Sequence, residues 1–181
     1  MNSQNKIILI TGATSGIGLS LTEIYLKDGW TVIGIGRKIT LLKSLKDLYL
    51  EKLIIVQCDL SKKENIGETF KNILEKYPSL NSFIFNAGIY KTDDFDTFTE
   101  ESIEETFNIN LLSVYRSLLE IRNRLKEPNQ SLIAIVSSVA GYRGLPKSIS
   151  YGPTKAALIN LAEALKVDTA KYQVDVKLIC P

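Results

Sequence analysis

The chain has 181 residues, 45% apolar and 23% charged, which is the composition of one globular domain with a sizeable core. Its 22 basic and 20 acidic residues leave a formal charge of +2 and form no basic block, so no nucleic-acid partner is expected. There is no histidine, which excludes Ser-His-Asp hydrolysis, Cys-His proteolysis and the common His-built zinc centres, and no metal site is expected.

Met1–Lys6 leads into a strand-like segment without an apolar leader core, so no export signal is expected. Lys6–Thr11 is a short apolar run followed at once by glycines, a first strand. Gly16–Lys27 reads as a helix with Ile17, Leu21, Ile24 and Tyr25 on one face. Thr31–Gly36 is a second strand, Ile39–Leu50 a second helix and Leu53–Gln57 a third strand. Ser61-Lys-Lys-Glu64 reads as a capping box opening a helix to about Lys76. Ser82–Phe85 is a fourth strand. A second box, Ser102-Ile-Glu-Glu105, opens a long helix to Lys126 that turns Phe107, Leu111, Val114, Leu118, Ile121 and Leu125 inward. Leu132–Ser137 is a fifth strand, Tyr151–Tyr172 a helix and Val174–Cys180 a sixth strand. The stretches Tyr90–Phe98 and Gly141–Ser150 follow strand ends and are expected to border an active site.

Continuous apolar strands separated by amphipathic helices predict an α/β fold: a doubly wound, three-layer parallel sheet of at least six strands, in one domain over residues 1–181. Ligands then belong outside the carboxyl ends of the strands. No run approaches the roughly 20 apolar residues of a membrane span. Cys58 and Cys180 lack paired or metal-ligand spacing, so a reducing, cytoplasmic setting is expected.

The turn Thr11-Gly12-Ala13-Thr14-Ser15-Gly16-Ile17-Gly18 joins the first strand to the first helix. Glycines there let backbone N–H groups approach a pyrophosphate at a helix N-terminus, although a plain structural turn has the same composition. NAD sites usually carry an acid at the end of the second strand, to hold the ribose 2′-hydroxyl. Here that strand ends Gly36-Arg37-Lys38. Arg37 offers a planar fork and Lys38 a second charge for a 2′-phosphate, which favours NADP(H) over NAD(H); a solvated basic loop is the plainer reading. Asp59, followed by Leu60, sits after the third strand, either near adenine or as a helix cap.

Tyr151 and Lys155 stand one turn apart on one helix face, and Pro153 puts Tyr151 at the helix start. A cation beside a phenol favours the phenolate, and the helix dipole favours it too, so this tyrosine can exchange a proton with a carbonyl or alcohol. An ordinary amphipathic helix face has the same spacing. Ser138 lies thirteen residues upstream in Ile-Val-Ser137-Ser138-Val-Ala-Gly.

Taken together, Thr11-Gly-x-x-x-Gly16-x-Gly18, Asp59, Asn86-Ala87-Gly88, Asn110 in Asn108-Ile-Asn110-Leu, Ser138 and Tyr151-x-x-x-Lys155 make the chain resemble the single-domain branch of the short-chain dehydrogenase/reductase family. The resemblance implies hydride transfer between NADP(H) and a carbonyl or alcohol. It assigns proton exchange to Tyr151, support of the phenolate and of the nicotinamide ribose to Lys155, and orientation of the substrate oxygen to Ser138. It also gives Asn110 a helix kink and a backbone-held water. Gly12, Thr14, Ser15, Gly16, Ile17, Gly18, Arg37, Lys38, Asp59, Leu60, Asn86, Ala87, Gly88, Tyr151, Lys155 and Pro181 are its implied cofactor contacts. It further implies a small-molecule substrate and a homodimer through helices 102–126 and 151–172. Tyr142, Leu145 and Ile149, carried by Gly141–Ser150, suggest that the substrate pocket is partly apolar.

Family members continue past the position of Pro181 with a glycine, a substrate-covering segment and a seventh strand. A truncated product is therefore one expectation, and an NADP(H)-binding protein impaired in catalysis is the alternative function. An epimerase or dehydratase of the extended branch is disfavoured by the Gly-x-x-x-Gly-x-Gly spacing.

Overall fold

The computed structural model describes residues 6–181; Met1–Asn5, and with them the reading of the amino-terminal start, lie outside the described residues. Six strands, β1 (Ile7–Thr11), β2 (Thr31–Gly36), β3 (Leu53–Gln57), β4 (Ser82–Phe85), β5 (Ser131–Val136) and β6 (Val174–Ile179), form one sheet in the order β3-β2-β1-β4-β5-β6. Every neighbouring pair is parallel. The expected doubly wound α/β fold is therefore present.

Both sheet faces are buried, which is why the strands are apolar throughout instead of alternating with polar residues. One face carries Leu9, Ile33, Ile35, Phe83, Phe85, Ile133 and Ile135. It is covered by helices α3 (Lys63–Lys76), α5 (Ser113–Ile121) and α6 (Tyr151–Asp168) through residues such as Phe70, Ile121 and Leu158. The other face carries Ile8, Ile10, Val32, Ile84, Ala134 and Val136. Leu26 of α1 (Gly16–Lys27) and Leu42 of α2 (Thr40–Tyr49) pack there. Phe83, at 0% exposure, touches the core from the middle of the sheet, and truncating it to alanine is expected to cost about 3–5 kcal/mol.

Three local expectations are corrected. Helix α1 buries Gly18, Thr22 and Leu26, whereas Ile17 and Ile24 are exposed. Packing of Gly18 against the preceding turn sets that rotation. Ser61 is not a cap: its amide and hydroxyl both bond the Asp59 carboxylate, and Lys62 stands at the helix start without a side-chain cap. Ser102 is the third residue of its helix, because Thr99 has the extended backbone a cap requires and exchanges hydrogen bonds with Ser102.

The long helix expected over 102–126 is also not continuous. It consists of α4 (Glu100–Phe107), a π-helical segment Asn108–Leu112, α5, and a short 3-10 turn at Arg124–Lys126. The π segment holds Asn110 with no exposed surface. The last helix likewise ends at Asp168, followed by a separate 3-10 turn at Ala170–Tyr172.

Candidate active site

The strand order reverses between β1 and β4, and a cavity of about 430 Å³ opens at the carboxyl ends there. Its wall includes the predicted residues Gly12, Thr14, Ser15, Gly16, Ile17, Arg37, Lys38, Asp59, Leu60, Asn86, Ala87 and Gly88. Gly18 stands behind this wall. A Cβ on it would lie 2.1 Å from the Gly12 carbonyl oxygen and 2.5 Å from the Asn86 amide nitrogen, so only glycine closes that turn. Gly12 has φ +67 and no room for a Cβ, which would meet the Ala87 Cα at 2.7 Å.

The cradle is tied from beneath by Thr11. Its buried hydroxyl accepts the amides of Asn86 (3.0 Å) and Ala87 (3.1 Å), while the Asn86 side chain donates to the carbonyls of Thr11 and Gly12. Sequence reasoning placed Thr11 in the motif without this role; the bonds span some 75 positions and leave no local signal.

The cavity suits a dinucleotide diphosphate. Helix α1 starts at it with no side-chain cap from Ser15 and no acid in its first turn, so its leading N–H groups face an anion site without a competing carboxylate. Arg37 and Lys38 are exposed at the second-strand end, and no described residue forms an ion pair with either. Asp59 shares that rim. Burial tends to raise its carboxyl, but the Ser61 hydroxyl and amide, with the Arg37 and Lys62 charges, hold it net below the ordinary carboxylate range. Its bonds to Ser61 form a local turn, so it is neither free of partners nor a helix cap.

Tyr151 is the first residue of α6, half-buried, with Tyr90 edge-on to its ring at a centroid distance of 4.8 Å. One turn along, the Lys155 side chain folds back, its Nζ 5.5 Å from the Tyr151 ring centre. Lys155 is 3% exposed and donates to the carbonyl of Val136 at the end of β5 (3.0 Å). Burial pushes its ammonium down to about 8, only partly opposed by the nearby Cys180.

Ser138 is half-buried just after β5. Ser137 beside it donates to the Lys155 carbonyl (2.7 Å), and the 3-10 turn Val139–Gly141 packs on α6. The Ser138 oxygen accepts the Ala140 amide (3.2 Å), which leaves the hydroxyl proton to donate elsewhere. Pro181 extends the β5–β6 pairing alongside: its carbonyl accepts the Val139 amide at 3.2 Å.

Asn110 joins the two halves. Its Oδ1 accepts the Ile89 amide (2.8 Å) and its Nδ2 donates to the Ile89 carbonyl (2.9 Å) and to the Thr154 hydroxyl (3.3 Å). The extra residue of the π segment turns this amide inward, a device common at functional sites. Thr154, in turn, donates to the Tyr151 carbonyl (2.7 Å). On the cavity wall, a Cβ at Gly88 would lie 3.4 Å from Asn110 Oδ1 and 3.5 Å from Lys155 Nζ. Asn110, Ser138, Tyr151, Lys155 and Pro181 thus stand outside the nucleotide cavity proper, and Asn110 and Lys155 adjoin its wall at Gly88.

Comparison with known proteins adds to this geometry. Residues 6–181 match the family model described as short chain dehydrogenase. A 3beta-hydroxysteroid dehydrogenase of Mediterraneibacter gnavus is 33% identical over 180 residues, covering 97% of this chain and 65% of that protein. The chain therefore spans about two thirds of that relative's length. The solved structure of ElxO with NADP bound superposes with a TM-score of 0.89 at 28% identity, covering 98% of this chain and 73% of that one. That of 4-hydroxyisoleucine dehydrogenase complexed with NADH does so at 0.87 and 27%, covering 98% and 75%.

Proposed function

The chain belongs to the short-chain dehydrogenase family, and from that premise we propose that it serves hydride transfer between NADP(H) and a carbonyl or alcohol of a small molecule, with Tyr151 as general acid and base. The observation carrying this reading is the junction at Gly88, where the wall of the nucleotide cavity meets Lys155 and Asn110 directly behind Tyr151. A bound nicotinamide supplies the hydride chemistry. Everything else is work for the chain's own side chains.

Tyr151 passes a proton to the substrate oxygen in reduction and takes it back in oxidation, at the N-terminal end of α6 where the dipole supports developing negative charge. Lys155, charged below about pH 8, stabilises the phenolate from the ring's own side. Ser138 has an uncommitted hydroxyl proton with which to hold the substrate oxygen. Asn110 keeps the Gly88 turn and α6 in register through Ile89 and Thr154.

For the cofactor, Arg37 supports NADP(H), because a guanidinium that forms no ion pair among the described residues suits a 2′-phosphate at this rim. Asp59 supplies a carboxylate on the same rim but is tied to Ser61. Relatives of this fold bind NADP in one case and NADH in another, so the preference rests on Arg37. A homodimer is part of the proposal: Leu112, Tyr115 and Leu119 form an exposed apolar stripe along the π segment and α5. No described helix is long and apolar enough to cross a membrane. Free Cys58 and Cys180 support a reducing, cytoplasmic setting.

The test is Tyr151→Phe, assayed for NADPH binding and for turnover on a panel of small ketones. Turnover is expected to fall about 10²- to 10⁴-fold while NADPH affinity stays within about twofold. Equal loss of binding and turnover would make Tyr151 a structural residue and defeat the assignment.

A further inference from the structure

Asp93 is a buried carboxylate on an otherwise open loop: it is 3% exposed, whereas Lys91 and Thr92 before it are exposed. No described lysine or arginine forms an ion pair with it. A carboxylate at that depth is costly unless hydrogen bonds satisfy it. Its partners all come from the residues that lead into the catalytic helix. Oδ1 accepts the Ser150 amide (3.2 Å), and Oδ2 accepts the Ser150 hydroxyl. Its backbone joins the same segment, the amide donating to the Lys147 carbonyl (3.3 Å) and the carbonyl accepting the Ile149 amide (3.5 Å). Asp93 and Ser148 pair as an isolated parallel bridge.

Two further observations connect this clamp to Tyr151. Ser150 occupies the cap position of α6, yet its hydroxyl does not cap the helix; Asp93 holds it instead, and the Asp93 carboxylate faces the helix N-terminus. Tyr90, three residues before Asp93, donates to the Lys147 carbonyl (3.3 Å) and sets its ring against that of Tyr151. Lys147 itself has φ +57, a left-handed conformation that a non-glycine residue keeps only when its surroundings hold it. The loops 90–93 and 147–150 are thus zipped together at the first residue of the catalytic helix.

We propose that Asp93 is a positioning residue for the reaction: its carboxylate fixes Ser150, and through Ser150 and the Tyr90 ring it fixes the orientation of the Tyr151 phenol. This rests on the reading of Tyr151 as the proton-transfer group. A loop anchor with no reach to Tyr151 is the rival explanation. It predicts a stability loss and nothing more.

The experiment uses the protein saturated with NADPH and compares wild type, Asp93→Ala, Asp93→Asn and Ser150→Ala. It reads turnover, NADPH affinity and the ¹⁹F resonance of 3-fluorotyrosine incorporated at position 151. Asp93→Ala is expected to lower kcat about 10- to 100-fold, the scale of a small misplacement of a reacting group, with NADPH affinity within about twofold. Asp93→Asn keeps the shape and one acceptor, so it recovers part of that loss, and Ser150→Ala shows a smaller one. The ¹⁹F line, single and narrow in wild type, shifts or broadens in the same order.

Turnover of Asp93→Ala within twofold of wild type, or an unchanged ¹⁹F line, overturns the inference. Should Asp93→Ala fail to fold, Asp93→Asn and Ser150→Ala give the same two readouts, and neither departing from wild type overturns it equally. A wild-type protein without turnover whose ¹⁹F line still responds to Asp93 would defeat the proposed function while upholding the clamp.

Discussion

Replacing Lys155 by methionine removes a charge from one of the driest positions in the molecule. Lys155 is 3% exposed and, among the described residues, its ammonium has a single hydrogen-bond acceptor, the Val136 carbonyl. Burial lowers its ammonium from 10.5 to about 8, which makes the charged form roughly 3 kcal/mol less favourable in the folded chain than in the unfolded one. Below pH 8 both states hold the proton, and the whole penalty weighs on the fold. Between pH 8 and about 10.5 the unfolded chain binds more protons, so the wild type gains stability as pH rises. Above that window both forms are neutral and the penalty is gone.

Methionine escapes this penalty but leaves the Val136 carbonyl without its partner, a cost of about 1–3 kcal/mol that does not depend on pH. At pH 7 the two effects oppose each other, so the absolute change is uninformative. The pH dependence of the difference is the sharp observable, because titrating groups remote from Lys155 cancel in it. Urea unfolding of wild type and Lys155→Met without cofactor, at pH 7 and pH 10, is expected to show the wild type gaining about 2.5 kcal/mol relative to the variant. That is roughly 5–10 °C in relative Tm for a chain of this length. A difference that stays constant with pH, or moves against the wild type, would refute the burial argument, whatever the variant does to activity.

Three other outcomes follow from the same geometry. Gly18→Ala forces a Cβ to within 2.1 Å of the Gly12 carbonyl; calorimetry is expected to show a stability loss of about 1–3 kcal/mol, and NADPH titration at least a tenfold loss of affinity. Normal NADPH binding by that variant would contradict the cradle. Arg37→Ala should weaken NADPH binding about 10- to 100-fold and leave NADH nearly unchanged, the loss shrinking at high salt; equal effects on both cofactors would remove Arg37 from 2′-phosphate recognition. Leu119, 61% exposed on α5, is the proposed centre of a dimer contact, so Leu119→Glu should convert a sedimenting dimer to monomer at micromolar concentration, and an unchanged mass would move the interface elsewhere.

Much of this site was legible before the structure because its signals are local. The glycine turn, the four-residue spacing of Tyr151 and Lys155 and the proline that starts their helix all depend on neighbours within one or two helical turns. Arg37 at the end of β2 was equally visible. The stretches Tyr90–Phe98 and Gly141–Ser150 were legible as site borders, but the particular contacts of Asp93, Tyr90 and Thr154 were not. In sequence Asp93 is one acid beside another in a loop, and it is held by the segment ending at Ser150, 57 positions away. The family resemblance implied a helix kink at Asn110, but nothing local shows the π segment that turns it toward Ile89 and Thr154.

The amino-acid sequence by itself determined the six strands, their parallel arrangement and the one-turn spacing of Tyr151 and Lys155, the pair proposed for proton transfer. Hydrophobic periodicity, glycine freedom and proline restriction act over a few residues and leave their mark in composition. Tertiary structure alone decided the rotation of α1, the partners of Ser61 and Ser102, the depth of Lys155 and the clamp around Asp93. Each of these is set by close packing and by hydrogen bonds between segments far apart in the chain. Such bonds form only once the sheet has brought β4, β5 and the ends of their loops together.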